Sequence, residues 1–227
     1  MKTIAFCSPA GGVGTSTAAA ACAISLASRG YRVLYVNAEV YGDSDVFFSC
    51  DGQFDFSEVI YAVKSNKTNR SMKLQSTVKQ DATGVYYYSS VKIALDMMEM
   101  TEDDYITLQN EFKALGCYDF VIMDMEFPKA QEAYKFFRYC NSIVFVVDDT
   151  DQNKYKVSKA LRSIQILDSQ SDYALEPRLW LLKNKCIAND IEQNEIRVLG
   201  TVPMYQPVLP AQMARQIALS NMFEQLV

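Results

Sequence analysis

Short apolar runs recur along this 227-residue chain, and segments with helical spacing separate them. Thr3–Cys7 predicts a first strand. The Ala-rich segment Ser16–Ser28 predicts a helix, stopped by Arg29-Gly30. Arg32–Asn37 predicts a second strand. In the irregular stretch that follows, helices are predicted over Ser57–Lys64 and Ser71–Lys79, and a strand over Val85–Tyr88. Glu102–Leu115 reads as a helix capped by Thr101, and Phe120–Met123 as a strand ending at Asp124. Ala130–Arg138 reads as helical, and Ser142–Val147 is a fully apolar strand ending at Asp148-Asp149. Asn153–Leu167 predicts a helix, Leu179–Leu182 and Val198–Val202 two more strands, and Ala211 to Leu226 a last helix. Strands that are apolar on both faces and alternate with helices predict an α/β fold: a mostly parallel sheet with helices on both faces. Ligands in such sheets bind beyond the carboxyl ends of the strands. No repeat or linker divides the pattern, so residues 1–227 are expected to form one domain with one large core.

Composition narrows the chemistry. Apolar residues make up 49% and charged residues 22% of the chain, which fits a globular protein. No apolar run approaches the roughly 20 residues that span a bilayer. The apolar start at Met1 to Cys7 is too short for a signal peptide. The six cysteines, Cys7, Cys22, Cys50, Cys117, Cys140 and Cys186, form no close pair, which argues against a zinc site and for reduced thiols in a cytoplasmic protein. Histidine is absent, so Ser-His, Cys-His and His-metal chemistry are excluded.

The net charge of −5 gives no nucleic-acid signal, but its distribution is uneven. Lys64, Lys67, Arg70, Lys73 and Lys79 fall in a stretch without acids. Asp96, Glu99, Glu102, Asp103 and Asp104 fall in one without bases. Solvated helix faces and two complementary surfaces both account for this.

The chemistry concentrates after the first strand. Gly11-Gly12-Val13-Gly14 joins that strand to a helix opening with Thr15, Ser16 and Thr17. Glycines allow positive φ and close approach of a ligand. The helix that follows offers unsatisfied N–H groups and the positive end of its dipole to phosphate. A phosphate loop of the form G-x-x-x-x-G-K-[ST] wants Lys where Thr15 stands. Ser16 can still ligate Mg²⁺ and Thr17 can still donate to phosphate. The cation on the β/γ-phosphates is lost, and one such electrostatic contact is worth about 10²–10³-fold in rate.

Ala10-Gly11-Gly12-Val13-Gly14-Thr15-Ser16-Thr17 resembles the deviant Walker A motif of the ParA/MinD superfamily (SIMIBI class), usually K-G-G-x-G-K-[ST]-T. Ala10 takes the place of the signature lysine that reaches across a sandwich dimer to the partner's nucleotide. Within the superfamily, Ser8-Pro9-Ala10 and the glycines after it are most similar to the atypical TadZ/CpaE branch, the localisation proteins of Tad/Flp pilus assembly. The resemblance covers essentially the whole chain. It implies a three-layer P-loop NTPase sandwich, ATP and Mg²⁺ as cofactors, and a homodimer. Asn37-Ala38-Glu39 stands where the family has D-x-D, which gives Glu39 the place of the water-organising acid. Tyr118 to Asp124 matches the Walker B strand, so Asp124 would hold Mg²⁺ with Ser16. Asn184 corresponds to the asparagine that recognises adenine. Pro203 and Met204 belong to a segment, Leu199-Gly200-Thr201-Val202-Pro203, similar to the family's L-G-x-[IV]-P, whose backbone packs on the base. A guanine-specific NKxD motif would need Asp at 187, and Ile187 stands there.

The TadZ/CpaE likeness implies an ATP-binding protein that positions a Tad/Flp pilus or secretion assembly, recruited from the cytoplasm to the cell pole or inner membrane face, and at most a slow ATPase. TadZ proteins often carry a receiver-like domain before the first strand, and here the sequence opens on that strand. A ParA-type partition ATPase needs loop lysines and a basic surface near the C-terminus. Asp190 to Val227 offers only Arg197 and Arg215 against Asp190, Glu192, Glu195 and Glu224. A MinD-type membrane cycler needs a cationic tail, whereas the apolar residues of Gln212–Val227, namely Ile217, Leu219, Met222, Phe223 and Leu226, are expected to pack on the core. A module that binds no nucleotide is the remaining alternative.

Overall fold

A computed structural model describes residues 1–65, 69–127, 135–186, 196–206 and 208–227. Among them, eight strands form one sheet in the order β3-β4-β2-β5-β1-β6-β7-β8. They are β1 (Lys2–Cys7), β2 (Val33–Asn37), β3 (Lys79–Gln80), β4 (Tyr86–Tyr87), β5 (Phe120–Asp124), β6 (Ser142–Val147), β7 (Leu179–Cys186) and β8 (Arg197–Pro203). Every pairing is parallel except β3 with β4. This is the expected α/β fold.

Side chains alternate across the sheet, and the two faces build two core layers. Ile4 and Phe6 of β1 face α1 (Thr15–Ser28), while Ala5 and Cys7 face the other side. Residues 18–26 of α1 are all buried. A helix apolar all round must be covered on both sides. Here the sheet covers one side and α7 (Pro210–Ala218) the other, and the Ala side chains permit close approach. The second layer holds α2 (Phe56–Lys64), α3 (Arg70–Thr77), α4 (Ala94–Met98), α5 (Glu102–Leu115) and α6 (Asp151–Ser169), with Val59, Leu108, Phe112 and Ile164 in its core.

The structure departs from the sequence pattern in several places. The tail is not one helix: α7 stops at Ala218, and Met222–Leu226 forms a separate 3₁₀ turn. Ser220 turns its hydroxyl onto the Ile217 carbonyl at 2.8 Å. The break lets Phe223 and Leu226 swing back onto the sheet, where Phe223 meets Phe6 edge-on. Leu219, expected in the core, is left 85% exposed at the corner. The helix expected to reach Lys79 ends at Thr77, because Lys79-Gln80 is drawn into the antiparallel edge pair with β4. Asp81 and Gly84 close that hairpin, Gly84 at φ +88°. The short helix α4 and a 3₁₀ turn at Ser44–Val46 had no clear periodicity and were not expected. The helix expected at Ala130–Arg138 lies largely outside the described residues, of which 135–137 are helical.

The uneven charge turns inward on this layer. Lys64 of α2 pairs with Asp104 of α5 at 3.0 Å, Lys73 with Glu58 at 2.6 Å, and Arg70 with Glu111 at 3.1 Å. Lys64 with Asp104 thus joins the basic stretch to the acidic one, while Arg70 and Lys73 pair with acids outside it. Asp104 also closes a capping box: it accepts from the Thr101 N–H at 2.9 Å, and Thr101 Oγ1 accepts from the Asp104 N–H at 3.3 Å. Replacing Thr101 by Ala is expected to lower stability by about 1 kcal/mol. Urea denaturation of the two proteins measures it, and an unchanged midpoint would contradict the cap.

Candidate functional site

The parallel strands deliver their carboxyl ends to one edge, and the predicted site residues meet there. The glycine loop leaves β1 after Cys7 and enters α1 at Thr15. Gly12 (φ +75°) and Gly14 (φ +88°) take the left-handed conformation that makes this turn. Val13 and Ala10 point into the core, so what Val13 offers a ligand is its backbone. Among the described residues no acceptor takes the N–H groups of Gly11, Gly12, Val13 or Gly14. Together with the first turn of α1, including Thr15, Ser16 and Thr17, they form a cradle of unclaimed donors.

The loop is latched from β7. Asn184 is buried, donates from Nδ2 to the Val13 carbonyl at 2.7 Å, and accepts from the Lys185 N–H at 2.9 Å. A Cβ on Gly14 would stand 2.4 Å from that Nδ2, so the glycine is required by contact as well as by φ. Asn184 keeps one donor hydrogen and one lone pair for another partner. Lys185 adopts φ +56°, uncommon for a residue with a side chain, and its Nζ reaches the Gly12 carbonyl at 2.5 Å. It thus brings a cation to a loop that carries no basic residue of its own. Lys129, a second base whose place in the sequence follows β5, lies outside the described residues. Pro203 ends β8 opposite Cys186, which places Pro203 and the exposed Met204 beside this latch.

Opposite the cradle stand the acids. Asp124 ends β5 between Phe6 of β1 and Asn37 of β2 and is only 1% exposed. The Tyr35 hydroxyl donates to its Oδ2 at 2.7 Å, while Oδ1 has no partner. Ser16 Oγ lies 3.4 Å from Glu39 Oε2 and also faces Asp124. Asn37 holds the turn that carries Glu39, accepting from its N–H at 3.0 Å. Burial, then the neighbouring Glu39, push the Asp124 carboxyl up to about 7. Burial, then exposed Glu126, raise Glu39 as well. A buried carboxylate with an orphaned oxygen beside a second carboxylate and a hydroxyl is a hard-oxygen donor set, and it fits Mg²⁺. Tyr35 and Glu126 escaped the sequence reading. A phenol inside an otherwise apolar strand was the available signal for Tyr35.

A family model described as an AAA domain matches residues 1–176. The chain belongs to that family. Solved structures similar to this AAA domain include the ParA family ATPase from Chlorobium tepidum TLS, with TM-score 0.73, 17% identity, and coverage of 99% of this chain and 94% of that one. The MinC:MinD cell division protein complex of Aquifex aeolicus gives 0.72 and 16%, over 100% and 95%. A plasmid partition protein from Borrelia burgdorferi B31 bound to AMPPNP gives 0.70 and 16%, over 99% and 94%. The fold is therefore that of the ParA/MinD ATPases. Among curated proteins none matches this chain in sequence. No helix among the described residues is long and apolar enough to cross a membrane.

The carboxylate pair of this AAA domain makes its stability depend on pH. Asp124 carries a raised pKa only when folded, so in metal-free buffer its penalty is absent below about pH 4 and grows as pH rises toward about 7. Asp124→Asn removes the titration. In EDTA the variant is expected to gain stability over wild type as pH goes from 5 to 7.5, with urea midpoints as the measure. A difference that does not change with pH would refute the assignment.

Proposed function

We propose that residues 1–227 form one nucleotide-binding domain that takes ATP with Mg²⁺, turns it over slowly if at all, and acts as a nucleotide-gated positioning factor. The observation that carries the reading is the loop itself. Its amides are unclaimed, the helix it opens carries Ser16 beside Glu39 and Asp124, and neither lysine position of the motif holds a base. Amides of Gly11, Gly12, Val13 and Gly14 with the first turn of α1 would hold phosphates, and Thr17 would donate to them. Ser16 and Asp124 would hold Mg²⁺, which neutralises charge on the β- and γ-oxygens when bound. Glu39 would orient a water, and its hydrogen bond with Ser16 sets it beside the metal as well. Asn184, Pro203 and Met204 would bound the base, and the absence of Asp at 187 favours adenine over guanine.

Slow turnover follows from charge. A lysine at Thr15 would meet the phosphoryl group where charge develops, and nothing in the loop replaces it there. Lys185 is held at the Gly12 carbonyl, on the latch side of the loop. Binding without rapid hydrolysis suits a protein whose nucleotide state sets where it assembles. The likeness of its loop to TadZ/CpaE directs that assembly to a Tad/Flp pilus or secretion machine, with ATP closing a homodimer. Neighbours in the same fold are a cell-division complex and plasmid partition proteins, which supports a partner-binding role. The sparse bases after Asp190 disfavour DNA as the partner.

Calorimetric titration tests the reading. ATP with Mg²⁺ is expected to bind, and GTP with Mg²⁺ to bind at least about tenfold more weakly, the size of one lost base contact. No heat and no thermal shift with millimolar ATP would leave the interaction module without nucleotide as the function. Thr15→Lys is expected to raise ATP turnover by about 10²-fold. A wild type as fast as that variant would show that the loop is not impaired.

A further inference from the structure

The Tyr35 hydroxyl is a buried polar group that neither the loop nor the water-orienting role accounts for. Its neighbours in β2, Val33, Leu34 and Val36, are apolar. Tyr35 pairs with Ile122 of β5, two residues before Asp124, so Tyr35 and Asp124 rise on the same face of the sheet. Phe48 packs on the ring at 5.0 Å and in turn packs on Tyr87 at 5.4 Å, which fixes the phenol from behind. The hydroxyl donates to Asp124 Oδ2 at 2.7 Å. Burial and the adjoining Asp124 hold its pKa well above the usual value, so it stays a donor. Asp124 Oδ1 is buried and without a partner. The two oxygens of one carboxylate thus have separate surroundings: one accepts from Tyr35, the other is buried with no hydrogen-bond partner.

We infer that Tyr35 is a positioning residue that fixes Asp124 through Oδ2 and leaves Oδ1 as the oxygen available to Mg²⁺ in the nucleotide complex. The inference rests on the ATP–Mg²⁺ reading above. A side chain that holds a metal-binding carboxylate by hydrogen bond typically governs 10–100-fold in metal affinity. An apolar residue at this position would leave Asp124 with two orphaned oxygens and free to rotate away from the cation. In a loop without lysines the nucleotide depends on that cation, so the loss should appear in Mg²⁺-dependent binding alone.

The test is ATP calorimetry on wild type and Tyr35→Phe, once with Mg²⁺ and once in EDTA. The variant is expected to match wild type in EDTA and to bind about 10–100-fold more weakly with Mg²⁺. An equal loss in both buffers makes the role merely structural and overturns the inference, as does no loss in either. Tyr35→Phe keeps the ring and its contact with Phe48. Should it fail to fold, Phe48→Leu loosens the same phenol and carries the same Mg²⁺-specific expectation. A wild type that binds no ATP in either buffer overturns the nucleotide reading and this one with it. A wild type that binds, with Mg²⁺-dependent affinity unmoved by Tyr35→Phe, overturns this one alone.

Discussion

The burial of Asp124 governs the arrangement at this edge of the sheet. β5 lies between β1 and β2, and Asp124 ends it beneath the first turn of α1. An ionised carboxylate taken out of water costs several kcal/mol unless something compensates it. Three kinds of compensation are open here. A proton on the carboxyl is favoured by burial and by Glu39. The Tyr35 hydroxyl satisfies one oxygen. A cation between Asp124, Glu39 and Ser16 would satisfy the rest. The first and third compete for the same oxygen, which couples pH, metal and stability at a single position.

The loop across from it is shaped by packing more than by charge. Val13 anchors it in the core, and Asn184 and Lys185 hold its carbonyls from β7. With carbonyls occupied from the β7 side, the N–H groups are left without acceptors, which is the polarity an anion needs. Ala10 is buried at 2% exposure in the α1 layer. A lysine at this position would bring an unpaired charge into the core.

What the sequence made legible follows from how local each signal is. The strands β1, β2, β5 and β6 and the helices α1 and α5 carry long apolar patterns and caps within their own residues, and their positions were read within a residue or so. The glycine loop and Asp124 were legible because motif and strand end coincide. The missed features depend on contacts distant in sequence. Lys79-Gln80 is a strand only because β4 pairs with it. The tail breaks at Leu219 because Phe223 finds Phe6 on the sheet. The charged stretches looked like surfaces because nothing in one dimension shows Lys64 meeting Asp104. Tyr35 reaches Asp124 across a sequence separation of 89 residues, and Lys185 reaches Gly12 across 173. Such bonds define a site, yet only the fold brings them together.

The proposed function has an electrostatic consequence that joins these parts. Glu39, Asp124 and exposed Glu126 gather carboxyl groups beside the cradle, and Lys185 is engaged by the Gly12 carbonyl. The end of α1 contributes about half a positive charge, and loop amides add only partial charges. In the proposed function a triphosphate at this edge would meet carboxyl groups that a proton or a divalent cation must neutralise. In a phosphate loop with lysines the protein supplies part of that neutralisation itself. Here the burden shifts to Mg²⁺, and with it to the few residues that aim Asp124. Nucleotide occupancy would then report the metal as much as the ATP, and a state that persists because hydrolysis lacks its cation is one on which a slow assembly can be timed.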